Sequence, residues 1–265
     1  MPRFEYENIS IWYDKFGIGP HAVLMIPGAI GTSQSDFNEQ LNLKSKYHLD
    51  QSKFTFVCVE LVGWGVRTDE RRRYGSDVLQ NDAKCCHRLM TDELGYQQYS
   101  VLGWSEGSKV ALIIGRQFGS DQIRSLVLLS VMSFASPYGT DHLLWSRNID
   151  NWDQNNLVKY IDAYGGDRER VANLWSAHMD FIAIYGKLYP GNVLGPIQNG
   201  LARLEPPVLV LHGDKDFFVE LDQPQLLERW VPDCQLVRFP NGSHCFHQEQ
   251  PEKFKIIVEQ FLESH

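Results

Sequence analysis

In 265 residues there is no apolar run near the roughly 18 residues that a bilayer-spanning helix needs. The opening segment, MPRFEYENISIWYDKFG, has no basic stretch followed by an apolar core, so no secretory signal is expected. It also lacks the arginine-rich, acid-poor character of an organellar presequence. Cysteine is scarce and odd in number: Cys58, Cys85, Cys86, Cys234 and Cys245 show no paired spacing, so neither a disulfide framework nor a zinc site is expected. Positive charge is in deficit, with 25 Lys+Arg against 33 Asp+Glu and a formal net charge of −8. That balance argues against a nucleic-acid partner, whose binders gather Lys and Arg on one face. The one basic cluster, Arg71, Arg72 and Arg73, follows Asp69 and Glu70 and reads as a solvated loop, with an anion or partner contact as the alternative. Internal repeats and low-complexity linkers are also missing. What remains is ordinary for a globular chain: 43% hydrophobic and 22% charged residues. At this length about three quarters of the unfolded surface can be buried, so a core needs no staple. A cytoplasmic location is expected, ahead of a mitochondrial one, with no membrane contact.

Short β-type runs recur at residues 9–16, 21–26, 54–61, 99–103, 125–130, 207–213 and 235–239. VLMI, LVLL and VLVL within them are continuously apolar, as strands covered on both faces of a parallel sheet require. Residues 77–94, 108–118, 223–230 and 251–262 place apolar residues at three- and four-residue spacing and read as helices. Strands alternating with helices predict an α/β fold with an open, mainly parallel sheet. The alternation breaks at 133–204, where NWDQNNLVKYIDAY and VANLWSAHMDFIAIYGKLY read as helices with no strand between. We therefore expect a core of residues 1–132 and 205–265 with a helical cap, 133–204, inserted in it. The cap's aromatics, Trp145, Trp152, Tyr160 and Tyr164, then Trp175, Phe181, Tyr185 and Tyr189, either pack its helices or line a pocket.

The strongest local pattern is Gly103-Trp104-Ser105-Glu106-Gly107, between the strand YSVL and the helix SKVALIIGRQF. A Gly-x-Ser-x-Gly pattern alone also arises as a plain glycine-rich turn. Its position at a strand-to-helix junction gives it meaning. A tight turn there strains the serine backbone, the glycines let neighbouring segments pass, and the hydroxyl projects from the sheet edge beside a helix N-terminus. A serine hydroxyl is a poor nucleophile near neutral pH, so a base must take its proton and an acid must orient the base. Candidate acids follow the strand PVLVLHG in Gly213-Asp214-Lys215-Asp216, and candidate bases follow the strand QLVRF in Asn241-Gly242-Ser243-His244 and at His247. Serine, acid and histidine then appear in that chain order, each past the carboxyl end of a strand, where open α/β sheets place their sites.

These motifs resemble those of the α/β-hydrolase superfamily, and within it the biphenyl hydrolase-like proteins. The likeness runs over nearly the whole chain, through GPHAVLMIPGAIGTSQSDFNEQL, VLGWSEGSKVAL, PVLVLHGDKDFFV and FPNGSHCFHQEQPEKF. By position in those motifs, the resemblance implies Ser105 as nucleophile, Asp216 rather than Asp214 as triad acid, and His244 rather than His247 as base. Asp214 then reads as a turn former and His247 as a packing residue. The oxyanion hole is expected from the backbone N–H of Glu106 and an N–H of Pro27-Gly28-Ala29-Ile30-Gly31, with Ala29 as donor and Ile30 as alternative.

Glu106 is the most informative side chain. The resembled family uses an acid here to meet a substrate's α-ammonium group, although there it is aspartate; the other reading is a helix N-terminal acid facing the dipole. A second departure is Val59-Glu60-Leu61-Val62-Gly63-Trp64-Gly65, where the family more often has Asp-x-Arg-Gly-x-Gly-x-Ser; this touches a structural loop. The resemblance thus implies a serine hydrolase working through an acyl-enzyme on small α-amino-acid esters of the valacyclovir type. The alternatives are lipid esters, thioesters, thiolactones or carbon–carbon bonds, and a non-catalytic ligand-binding role. The expected partner is a small-molecule ester; no metal or organic cofactor is required, and a monomer is the default.

Overall fold

The computed structural model describes residues 2–7, 9–67, 71–134, 136–188 and 200–265, without the side chains of 185–188. Each continuous apolar run of the sequence becomes a strand buried on both faces. These are β3 (His21–Ile26), β4 (Phe54–Glu60), β5 (Tyr99–Trp104), β6 (Ile123–Leu129) and β7 (Val208–Gly213). Side chains alternate across a strand, so Leu24, Val57, Val101 and Leu128 join one core while Met25, Cys58, Leu102 and Val127 join the other. The first core is closed by α2 (Val78–Arg88) and α3 (Glu106–Gln122), and the second by α1 (Ser33–Leu41) and α7 (Pro251–Ser264). In α7 the buried Phe254, Val258, Phe261 and Leu262 recur at the helical period.

With β1 (Arg3–Tyr6), β2 (Ile9–Phe16) and β8 (Cys234–Phe239) the sheet has, among the described residues, eight strands in the order β1-β2-β4-β3-β5-β6-β7-β8. Only the β1–β2 and β2–β4 pairings are antiparallel; the rest are parallel. This is the α/β-hydrolase fold expected from the sequence. The sheet reverses its winding beside β3 and β5, and the loops leaving their carboxyl ends carry the candidate site.

Several expectations need adjustment. The edge strand β1 and the helix α1 carried no readable pattern. The helix expected over 77–94 ends at Arg88 and continues as a π-helical turn, Leu89–Glu93. The strand expected at 125–130 begins two residues earlier, at Ile123. The basic cluster is not wholly a solvated loop. Arg71 and Arg73 are exposed, but the Arg72 guanidinium is buried against Asp82 and lies 4.0 Å from the centre of the Trp64 ring. The loop carries it inward because a buried carboxylate and an aromatic face together replace its water.

Between β6 and β7 lie α4 (Pro137–Trp145), a 3₁₀ turn (Ile149–Asn151), α5 (Gln154–Ala163) and α6 (Arg168–Leu188). Caps set their starts: Ser136 accepts from the Gly139 N–H, and Asp153 from those of Asn155 and Asn156. No strand occurs in this segment among the described residues. Trp152 and Trp175 meet edge to face at 5.0 Å and both donate their indole N–H to the Ser146 carbonyl at 2.8 Å. The Tyr185 side chain and Tyr189 lie outside the described residues.

Candidate active site

At the end of β5 the chain turns into α3 within one residue. Ser105 takes φ 53° and ψ −113°, a left-handed conformation that costs a non-glycine residue energy and persists only where the surroundings enforce it. Enforcement comes from the Ser105 N–H, which donates to the Leu129 carbonyl at 2.9 Å, and from the close passage of segments on either side. A Cβ on Gly103 would lie 2.3 Å from the Gly107 carbonyl oxygen, and one on Gly107 would lie 2.2 Å from that of Ile26. Only glycine fits at both positions, which is the physical content of the Gly-x-Ser-x-Gly pattern here. The Ser105 side chain faces a cleft of about 560 Å³ between the sheet edge and the helices that follow β6.

His244 lines the same cleft from the loop after β8. Its Nδ1 lies 2.8 Å from Oδ2 of Asp216, on the loop after β7. The other carboxylate oxygen of Asp216 accepts from the backbone N–H groups of Phe218 and Val219 at 2.9 and 3.0 Å. Burial alone would raise the Asp216 carboxyl, but the His244 imidazole, His212 and the Val219 amide hold it below the ordinary range. An ionised Asp216 fixes the proton of His244 on Nδ1 and leaves Nε2 as the basic nitrogen. The ring is held between Trp104, at 5.5 Å, and the edge-on Phe218, at 5.1 Å, while Trp104 Nε1–H and the Ser130 hydroxyl donate to the His244 carbonyl. The structure therefore brings Ser105, His244 and Asp216 to one place from three loops.

Asp214 and His247 stand apart. The Asp214 carboxylate accepts from Arg238 Nε at 2.7 Å on the outer surface. His247 is fully buried, where its Nε2–H donates to the Asp36 carbonyl at 3.0 Å and burial pushes its imidazole down to about 3.

The loop after β3 forms another wall of the cleft. Gly28 and Ala29 line it; Ile30, with φ 55°, is fully buried behind, and its carbonyl accepts from the Tyr164 hydroxyl at 2.8 Å. Of the two expected donors, Ala29 is thus the one at the cleft. Asp36 braces this loop from below. Its Oδ2 accepts from Gly28 N–H at 2.8 Å and its Oδ1 from the Ser35 hydroxyl at 2.6 Å. Gly31 leaves room for the carboxylate, since a Cβ there would fall 1.9 Å from Oδ2. The departing segment around Gly65 joins the same wall, because the Gly65 N–H donates to the Tyr164 hydroxyl at 2.9 Å.

Glu106, first residue of α3, also lines the cleft beside Ser105 and is almost fully buried. Its Oε2 is in contact with Nζ of Lys109, one turn further along the helix. Burial would raise its carboxyl, but Lys109, His178 and Arg72 outweigh that and hold it below the ordinary range. Lys109, His178 and Asp36 were not among the candidates read from sequence. For Lys109 a signal existed, the Glu-to-Lys spacing of three on one helix. Of the aromatics, Trp145, Trp152, Tyr160 and Trp175 line the cleft, whereas Tyr164 and Phe181 are buried in packing.

Residues 23–255 match the model of the Alpha/beta hydrolase family. The chain belongs to the alpha/beta hydrolase family. Among its relatives is Serine hydrolase BPHL. The mouse protein is 28% identical over 256 residues, covering 97% of this chain and 84% of that protein; the human one is 28% identical over 259 residues with the same coverage. Among solved structures, a bacterial membrane phospholipase A superposes with a TM-score of 0.76 at 18% identity, covering 99% of this chain and 85% of that one. At that identity the likeness concerns the fold. Hydrolase is the level of activity that these relationships support, and among the described residues no helix is long and apolar enough to cross a membrane.

Proposed function

We propose that this protein is a serine hydrolase that cleaves small carboxylic esters through an acyl-enzyme. The observation that carries this reading is the strained Ser105 facing one cleft with His244, whose Nδ1 is fixed by the buried Asp216 at 2.8 Å. Ser105 Oγ attacks the ester carbonyl while His244 Nε2 takes its proton. The tetrahedral oxyanion is met by the N–H groups of Ala29 and Glu106, the latter at the positive end of α3. His244 then passes the proton to the leaving alcohol, and water activated by the same imidazole releases the acid. Asp216 keeps the imidazole in the required tautomer and stabilises its cation.

The resemblance to biphenyl hydrolase-like proteins suggests amino-acid esters, with Glu106 meeting the acyl group. The place of Glu106 on the wall next to Ser105 supports a role on the acyl side. Lys109 already occupies Oε2, so the class we propose is broader: esters with a polar group beside the carbonyl, amino-acid esters included. The aromatic wall of Trp145, Trp152 and Trp175 suits an apolar leaving group. A panel of small esters, assayed with wild type and Ser105→Ala, tests the reading. Hydrolysis that vanishes in the variant is expected; no turnover, or turnover that survives the substitution, overturns it.

A further inference from the structure

Glu106 and Lys109 stand one turn apart at the start of α3, each side chain only 4% exposed, and both line the cleft beside Ser105. Lys109 Nζ takes Oε2 of Glu106, while Oε1 is buried and has no hydrogen-bond partner among the described residues. His178, from α6, lines the same cleft and is also buried; its Nδ1 has no partner among the described residues either. Aromatic rings surround that imidazole, with Trp64 and Trp175 each at 5.7 Å and Tyr74 and Phe181 each at 6.1 Å. A buried polar atom without a partner is costly, and two of them belong to residues that line one cleft, so a ligand's polar group is a fitting partner for both.

The charge count says which ligand. Glu106 and Lys109 cancel, and the Arg72–Asp82 pair behind them cancels as well. Burial pushes His178 down to about 4, so near neutral pH its ring is uncharged and has one donor and one acceptor nitrogen. An ammonium placed on Oε1 would share a carboxylate with the Lys109 cation in a poorly screened setting, and it brings no acceptor. A hydroxyl brings both functions and no charge.

Resting on the ester reading above, we propose that Glu106, Lys109 and His178 form an acyl-side specificity subsite for a neutral hydrogen-bonding group. Its substrates are esters with a hydroxyl on the carbon beside the carbonyl, and Lys109 disfavours an ammonium at that position. Lys109 is thereby a specificity determinant and takes no part in the bond-breaking step.

The phenyl esters of lactic acid, alanine and propanoic acid differ only at that carbon. They are compared at about pH 6.5, below the roughly 7.7–8 of an α-amino group, so that the alanine ester is mainly cationic. Wild type is expected to show kcat/KM at least tenfold higher for the lactate ester than for either of the others. Lys109→Met is expected to raise the alanine-to-lactate ratio by at least tenfold, about the worth of one charge-assisted contact. Should that variant not fold, wild type is titrated with lactamide and alaninamide as competitive inhibitors, lactamide being expected to bind at least tenfold more tightly. Ser105-dependent turnover of all three esters with no preference for lactate, or a ratio that Lys109→Met leaves within twofold, overturns the subsite and leaves the ester reading standing. Equal inhibition by the two amides does the same. Failure to turn over any of the three overturns both.

Discussion

The carboxylate of Asp216 is shared between two jobs: Oδ2 holds Nδ1 of His244 at 2.8 Å, and Oδ1 is held by the amides of Phe218 and Val219. The acid is thus anchored by its own loop before it orients the imidazole. Asp216→Asn keeps the size and one acceptor but can donate to Nδ1, which favours the wrong tautomer. A fall in kcat of about 10⁴ is expected, with little change in far-UV circular dichroism or thermal midpoint. Steady-state kinetics on an active ester checks it.

Asp36 gives the protein a pH signature. Burial raises its carboxyl from 3.8 to about 7, against the opposing hydrogen bonds from Ser35, Gly28 and Tyr160. A carboxyl raised in the folded state contributes most stability below its unfolded value. That contribution is lost as pH rises from about 4 through 7, because the unfolded chain ionises first. Asp36→Asn does not titrate, so the thermal midpoint of wild type minus that of the variant is expected to fall steadily across this window. Scanning calorimetry at several pH values gives the difference.

The Arg72–Asp82 pair is a buried ionic contact, with each side chain 3% exposed. Arg72→Met leaves a buried carboxylate without its cation and is expected to cost about 3–5 kcal/mol in urea unfolding. Arg72→Met combined with Asp82→Leu removes both charges and is expected to cost less than half as much. The double-mutant cycle measures the coupling.

Much of the frame and of the candidate site's geometry was legible in the sequence for a common reason. Runs such as VLMI and VLVL have no other stable place than a doubly covered sheet, and Ser105 needs glycines on either side to turn as it does. Features that depend on distant partners were silent. Strand β1 is four residues on an edge, with only Phe4 buried. Arg72 read as surface because its neighbours are charged, and nothing local told of Asp82 or the Trp64 ring. Asp36 sits in TSQSDF like any helix-start acid, and its role appears only when Gly28 and Gly31 are folded over it. His178 becomes part of the cleft only when α6 is folded over it. Lys109 is the exception: its spacing from Glu106 was visible, and it occupies one of the acid's two oxygens.

At the centre of the proposed mechanism Ser105 is an activated nucleophile. Intact-mass spectrometry after exposure to a fluorophosphonate measures this directly, with peptide mapping of the product. One phosphonyl adduct per chain is expected, mapped to Ser105, formed slowly or not at all in His244→Ala and absent in Ser105→Ala. An unmodified wild-type mass, or an adduct that persists in Ser105→Ala, would contradict it.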